Sequence, residues 1–108
     1  MEKTVGFRDG LSPEIQIVAE KLVEMLHPSV IYLYNQRVSA VGHTTGFKLC
    51  VVASLPDKRK AEHCAYMEID CDVPFDLLLY TPEEWADITA RKDSFAAKIQ
   101  RTGKIVYG

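Results

Sequence analysis

Disulfide chemistry is the first thing missing from this chain. Its three cysteines, Cys50, Cys64 and Cys71, are an odd number and contain no C-x-x-C pair. That argues against a disulfide-stapled secreted fold and points to a reducing cytosol. Long apolar runs are missing too. Nothing approaches the ~18 consecutive apolar residues of a membrane span, and the opening MEKTVGFRDG holds no apolar core of an export signal. The chain is expected to be neither exported nor inserted, and a cytoplasmic location follows. An excess of one charge is also absent: 13 basic and 15 acidic residues give a net charge of −2. This excludes a broad basic nucleic-acid footprint but leaves room for a local patch. No serine sits in a G-x-S-x-G context, so serine nucleophile chemistry has no support. Repeats, low-complexity tracts and linkers are absent as well.

What remains is ordinary globular composition, 47% hydrophobic and 26% charged over 108 residues. That is the size of one domain, residues 1–108, able to bury roughly two thirds of its unfolded surface. After a loose lead-in over residues 1–10, Ser12-Pro13-Glu14 reads as a helix start. Ser12 can cap, Pro13 suits the first helical position, and Glu14 favours the positive end. Ile15, Val18, Ala19, Leu22, Met25 and Leu26 then keep helical spacing on one face, and Pro28 ends the helix.

Val30 to Tyr34 reads as a buried strand. Residues 35–45 (NQRVSAVGHTT) carry no clean period and predict a loop. Phe47 to Ala53 predicts a second strand, broken by Leu55-Pro56-Asp57, and Lys58 to Ile69 a helix. Phe75 to Tyr80 predicts a third strand. Thr81-Pro82-Glu83-Glu84 combines a cap, a first-position proline and a capping-box glutamate, opening a helix that carries Trp85. A last helix over Ser94 to Arg101 is expected to stop at Gly103 as a C′ glycine. The tail Lys104 to Tyr107 can form a short extended segment. This order predicts an α/β (α+β) fold, a small mixed sheet flanked by helices.

The segments LYNQRVSAVGHTTGFKLCVV, VPFDLLLYTPEEW and SFAAKIQRTGKIVYG together resemble the minimal nucleotidyltransferases of the polymerase-β superfamily. The resemblance spans roughly residues 12–108 and is most specific toward the C-terminus. In that family a strand ends in Gly-Ser, the next strand carries Asp-x-Asp, and a later strand supplies a third aspartate. The resemblance implies that Asp76 holds the third-carboxylate position. Gly46 and Lys48 stand where the Asp-x-Asp pair belongs, and Asn35 and Gln36 stand in place of Gly-Ser.

Residues at i and i+2 on a strand share a face. Two aspartates so placed, with a third from a neighbouring strand, hold the paired Mg²⁺ ions that clamp a triphosphate. Gly46 offers no ligand, Lys48 brings a cation, and one carboxylate cannot hold two hard divalent ions. No metal and no cofactor are therefore expected. Catalysis is expected to be lost, and Lys48 and Asp76 are expected either to pair across adjacent strands or to leave Lys48 as a surface lysine. Arg37, His43 and Lys48, with Asn35 and Gln36, form a possible anion or nucleotide loop, the alternative being a solvated loop.

Other groupings carry less. His63, Cys64, Asp70, Cys71 and Asp72 include metal-ligand types, but their spacing fits no zinc pattern. Cys50 is expected to be inert core. The resemblance implies a binding domain, with a small helical HEPN-type protein as partner in a toxin–antitoxin arrangement. An active transferase built around Asp76 with Mg²⁺ and help from Glu68, Asp70 or Asp72 is the alternative. A nucleotide sensor or a self-associating subunit is a further one.

Overall fold

The structure is a computed structural model that describes residues 7, 8 and 10–108. Its elements run α1 (Pro13–Leu26), β1 (Val30–Val38), β2 (Thr44–Val52), α2 (Lys58–Glu68), β3 (Phe75–Tyr80), α3 (Pro82–Thr89), α4 (Phe95–Thr102) and β4 (Lys104–Tyr107). The four strands form one mixed sheet in the order β3-β2-β1-β4. β1 pairs antiparallel with β2 and β4, and β2 pairs parallel with β3. A parallel neighbour demands a crossover, which α2 provides. This is an α+β fold with a small mixed sheet flanked by helices.

The helix starts follow the sequence signals. The Ile15 amide donates to Ser12 Oγ and Pro13 holds the first position. The Glu84 amide donates to Thr81 Oγ1, and the Thr81 amide donates back to the Glu84 carboxylate. Two orphan donors of α3 are thus satisfied reciprocally. The end of α4 differs from expectation. Gly103 has φ −72°, outside the left-handed region. Glycine is needed there because a Cβ would lie 2.6 Å from the Ile99 carbonyl oxygen. The one left-handed non-glycine among the described residues is His27, which caps α1 at φ 50°.

Both faces of the sheet are covered, but unequally. On one, Ile31, Leu33, Phe47, Leu49, Val51, Leu77 and Leu79 pack under α1 and α2 through Ile15, Val18, Leu22 and Ala65. On the other, Tyr32, Cys50 and Val52 pack under α3 and α4 through Trp85, Ala96 and Ile99. Trp85 is held between the rings of Tyr32 and Tyr80, at centroid separations of 5.5 and 5.4 Å. Lys58 of α2 ties to Glu84 of α3 at 3.0 Å and lies over the Tyr80 ring.

The expected loop over residues 35–45 is instead a β-hairpin. β1 continues to Val38, β2 begins at Thr44, and only residues 39–43 turn. Two features erase the period-2 signal. The pairing shifts register at Leu33/Asn35 and at Arg37/Val38, and this stretch is exposed over much of its length. A strand without a buried face writes no hydrophobic alternation. Of the lead-in, Met1 to Gly6 and Asp9 lie outside the described residues. Phe7 bridges Tyr107 at the outer side of β4, and the Arg8 amide donates to the Val106 carbonyl. No described helix is long and apolar enough to cross a membrane.

Candidate functional site

The register of the sheet decides which sequence-predicted residues meet. Lys48 pairs with Asp76 across the parallel β2–β3 ladder and with Asn35 across β1–β2, while Gly46 pairs with Arg37. Directly paired residues point to the same side of a sheet. Asn35, Arg37, Gly46, Lys48 and Asp76 therefore share one face, the one that carries Tyr32, Cys50 and Leu78 further along. The helices α3 and α4 cover that face only as far as Tyr32 and Cys50. Beyond that level Asn35, Arg37 and Asp76 are exposed and Lys48 is half-buried.

Gly46 is buried on this otherwise open stretch. The cause is Arg37, whose guanidinium lies over it. A Cβ at position 46 would collide with Arg37 Nη2, and would sit 3.2 Å from both Cζ and Nε. A guanidinium thus fills the space of the missing side chain, and the next residue on the same face, Lys48, adds a second cation. The only carboxylate in the group is Asp76. No ion pair joins Lys48 to Asp76, although register sets them side by side; the ion pairs among the described residues are Lys21–Glu24 and Lys58–Glu84. The expected replacement of a metal by an internal Lys48–Asp76 bridge is not formed. Two divalent cations do not fit this donor set, because two fixed positive charges stand where two of three carboxylates would be needed.

Aromatic rings flank the group. Tyr34 lies at the first register shift, beside Asn35, and meets Phe95 edge-on at 5.5 Å. Burial pushes the Tyr34 hydroxyl above the ordinary tyrosine range, and the buried Cys50 and the nearby Asp76 carboxylate push it the same way. Tyr66 of α2 reaches the free edge of β3, where its hydroxyl accepts the Leu77 amide at 2.7 Å. Burial raises its pKa; the Leu77 hydrogen bond opposes the rise, and Asp76 adds to it. These tyrosines stay protonated near neutral pH and act as neutral hydrogen-bonding walls.

The other predicted residues go elsewhere. Gln36 faces the α1 side and donates to Thr44 Oγ1 at 2.9 Å. His43 sits in the hairpin turn and lines a cavity with Ser12, Pro13, Glu14 and Val73, so it does not join Arg37 and Lys48. The expected Arg37–His43–Lys48 loop is thereby split, since the side chains leave opposite faces of the hairpin. Asp70 and Asp72 line a cavity with Pro13, Glu14 and Ile17, also on the α1 side and away from Asp76. His63 is exposed, and Cys64 and Cys71 are half-buried free thiols. No set of three or more His, Cys, Asp or Glu among the described residues is placed to hold a metal ion. Cys50 is fully buried, and burial pushes its thiol up to about 12.

Sequence reasoning did not single out Tyr34 or Phe95. Helical spacing gave no signal for Phe95: it lies four residues before the buried Ile99, on the same side of α4, yet at the start of the helix it stays exposed. Comparison with protein-family models, with curated proteins and with solved structures found no match to this chain.

Proposed function

We propose that this chain is a nucleotidyltransferase-like domain that has lost metal-dependent transfer and works in the cytoplasm by binding a protein partner. One observation carries the reading. Positions 46, 48 and 76 are brought to one open sheet face, as a carboxylate triad would require, yet they hold a glycine under a guanidinium, a lysine and one aspartate. On this reading the placement of the three positions is kept while the charge they carry is inverted. A small helical HEPN-type protein is the partner that the resemblance implies, with this chain as the antitoxin-like half.

The test is calorimetric titration of ATP and GTP with and without Mg²⁺, followed by co-purification with a helical protein encoded beside this chain. The expected result is no Mg²⁺-dependent nucleotide binding and a stable complex with the neighbour. Mg²⁺-dependent binding would overturn the loss of the metal site. Arg37 and Lys48, which have no ion-pair partner among the described residues, favour one second reading, a nucleotide sensor that needs no metal; binding indifferent to Mg²⁺ would select it. An active transferase assembled around Asp76 is less well supported, because Asp70 and Asp72 lie on the α1 side of the sheet.

A further inference from the structure

Arg37 and Lys48 differ from Lys58, the cation that ties α2 to α3. Lys58 is matched by Glu84 at 3.0 Å. Arg37 and Lys48 have no ion-pair or side-chain hydrogen-bond partner among the described residues, and Arg37 is positioned by packing on Gly46 instead. A guanidinium held flat against a glycine keeps its donor fork unspent and partly pre-ordered. The chain as a whole is acidic, with a net charge of −2, so this pair of cations is a local feature of one face. Beside it Phe95 leaves 55% of its surface in water, against the ring of Tyr34.

We propose that this uncovered part of the sheet face docks an acidic segment of a protein partner. A carboxylate of that segment is taken by Arg37 and Lys48, and an adjacent apolar side chain covers Phe95. The proposal rests on the reading that the chain works by binding protein, and names the chemistry of the partner. Charge complementarity selects the carboxylate, whose two oxygens match a guanidinium fork. Flatness selects a macromolecule over a small phosphate. A phosphate cradle uses a concave ring of backbone amides, whereas here the exposed surface is a sheet face, whose amides lie in the plane of the sheet and point along it rather than out of the face. Asp76 restricts approach, because a second acid is repelled from the β3 side and favoured from the β1 side, where Arg37 lies.

The test uses the full ¹⁵N-labelled chain and a capped eight-residue peptide of alternating Glu and Leu. A Lys/Leu peptide of the same length, inorganic phosphate and MgATP are separate arms. The Glu/Leu peptide is expected to shift the amides of Gly46, Lys48 and Phe95 saturably, and added salt is expected to weaken it. Arg37→Glu is expected to lower its affinity about tenfold or more. Gly46→Val, which removes the seat of the guanidinium without changing charge, is expected to lower it as well, with distant amides unmoved to show that the fold is intact. Phe95→Ser is expected to do the same.

Several results overturn the proposal: shifts mapping elsewhere, equal binding of the Lys/Leu peptide, or undiminished binding by Arg37→Glu. Saturable shifts of these amides by phosphate, with the peptide silent, would replace it with a small-anion site. MgATP shifting them with turnover would instead defeat the parent reading, and that outcome is separately visible as a nucleotidylated product.

Discussion

Two glycines with ordinary φ make opposite predictions for the same substitution. At Gly46 an alanine methyl meets only the tip of the Arg37 side chain, and because Arg37 is exposed its guanidinium can be displaced without moving the backbone. Alanine in a strand interior is favoured over glycine by roughly 0.5–1 kcal/mol, largely through the unfolded chain. Loss of the guanidinium's seat offsets part of that gain, so Gly46→Ala is expected to be neutral or stabilising by up to about 1 kcal/mol. At Gly103 the methyl would lie 2.6 Å from the Ile99 carbonyl oxygen and 3.3 Å from Ile99 Cγ2. That same oxygen accepts the Gly103 amide at 2.7 Å.

The obstacle at Gly103 is backbone, fixed by α4 before it and by β4 directly after it, so no rotamer change relieves the clash. A strained or broken hydrogen bond to a shielded carbonyl costs about 1–3 kcal/mol, and local overpacking about 1–3 more. Gly103→Ala is therefore expected to lose about 2–6 kcal/mol. For a domain of this size each kcal/mol moves Tm by roughly 4–8 °C, so the two variants should melt at least about 8 °C apart. Urea titration followed by circular dichroism, with calorimetry for Tm, measures both. Equal stability of the two variants, or greater damage at Gly46, would refute the packing of Arg37 on Gly46 and of Gly103 on Ile99.

Three further outcomes follow from other sites. His27 holds a left-handed backbone at φ 50°, so His27→Gly is expected to raise stability by up to about 1 kcal/mol in the same urea titration. Glu84 has its carboxyl held below the ordinary range, first by the Thr81 amide and then by Lys58. A lowered folded pKa means that its contribution is complete above the unfolded value, near 4.3, and is lost as pH falls through the lower folded value. Glu84→Gln is therefore expected to flatten the acid limb of a Tm-against-pH profile. Cys50, with its thiol pushed up to about 12, is expected to resist an aromatic disulfide reagent at pH 8 until the chain is unfolded, while Cys64 and Cys71 react in the folded protein.

Much of the scaffold was legible because it is written in local chemistry. The caps at Ser12 and Thr81 accept the expected amides, and Ser94, read only as the start of the last helix, caps it. The buried stripe Ile15, Val18, Ala19 and Leu22 and the run from Phe75 to Tyr80 are where periodicity and β-propensity put them. Cys50 entered the core as its apolar strand required. The hairpin was not legible. Residues 35–38 of β1 are all exposed and the hairpin has two shifts of register, and both remove the alternation by which a strand is recognised. The stop at Gly103 was placed correctly but for a different reason, a close approach to Ile99 in place of a left-handed turn.

The sequence by itself determined most of the elements, the caps at Ser12 and Thr81, and the lack of aspartates at positions 46 and 48, since each depends on residues a few positions apart. Tertiary structure alone decided what stands together. Register across three strands placed Lys48 between Asn35 and Asp76, set Arg37 over Gly46, and sent His43, Gln36 and Asp72 to the other side. One residue of slip in a strand exchanges its faces, so long-range hydrogen bonding that no local pattern encodes fixes the charge of the open face.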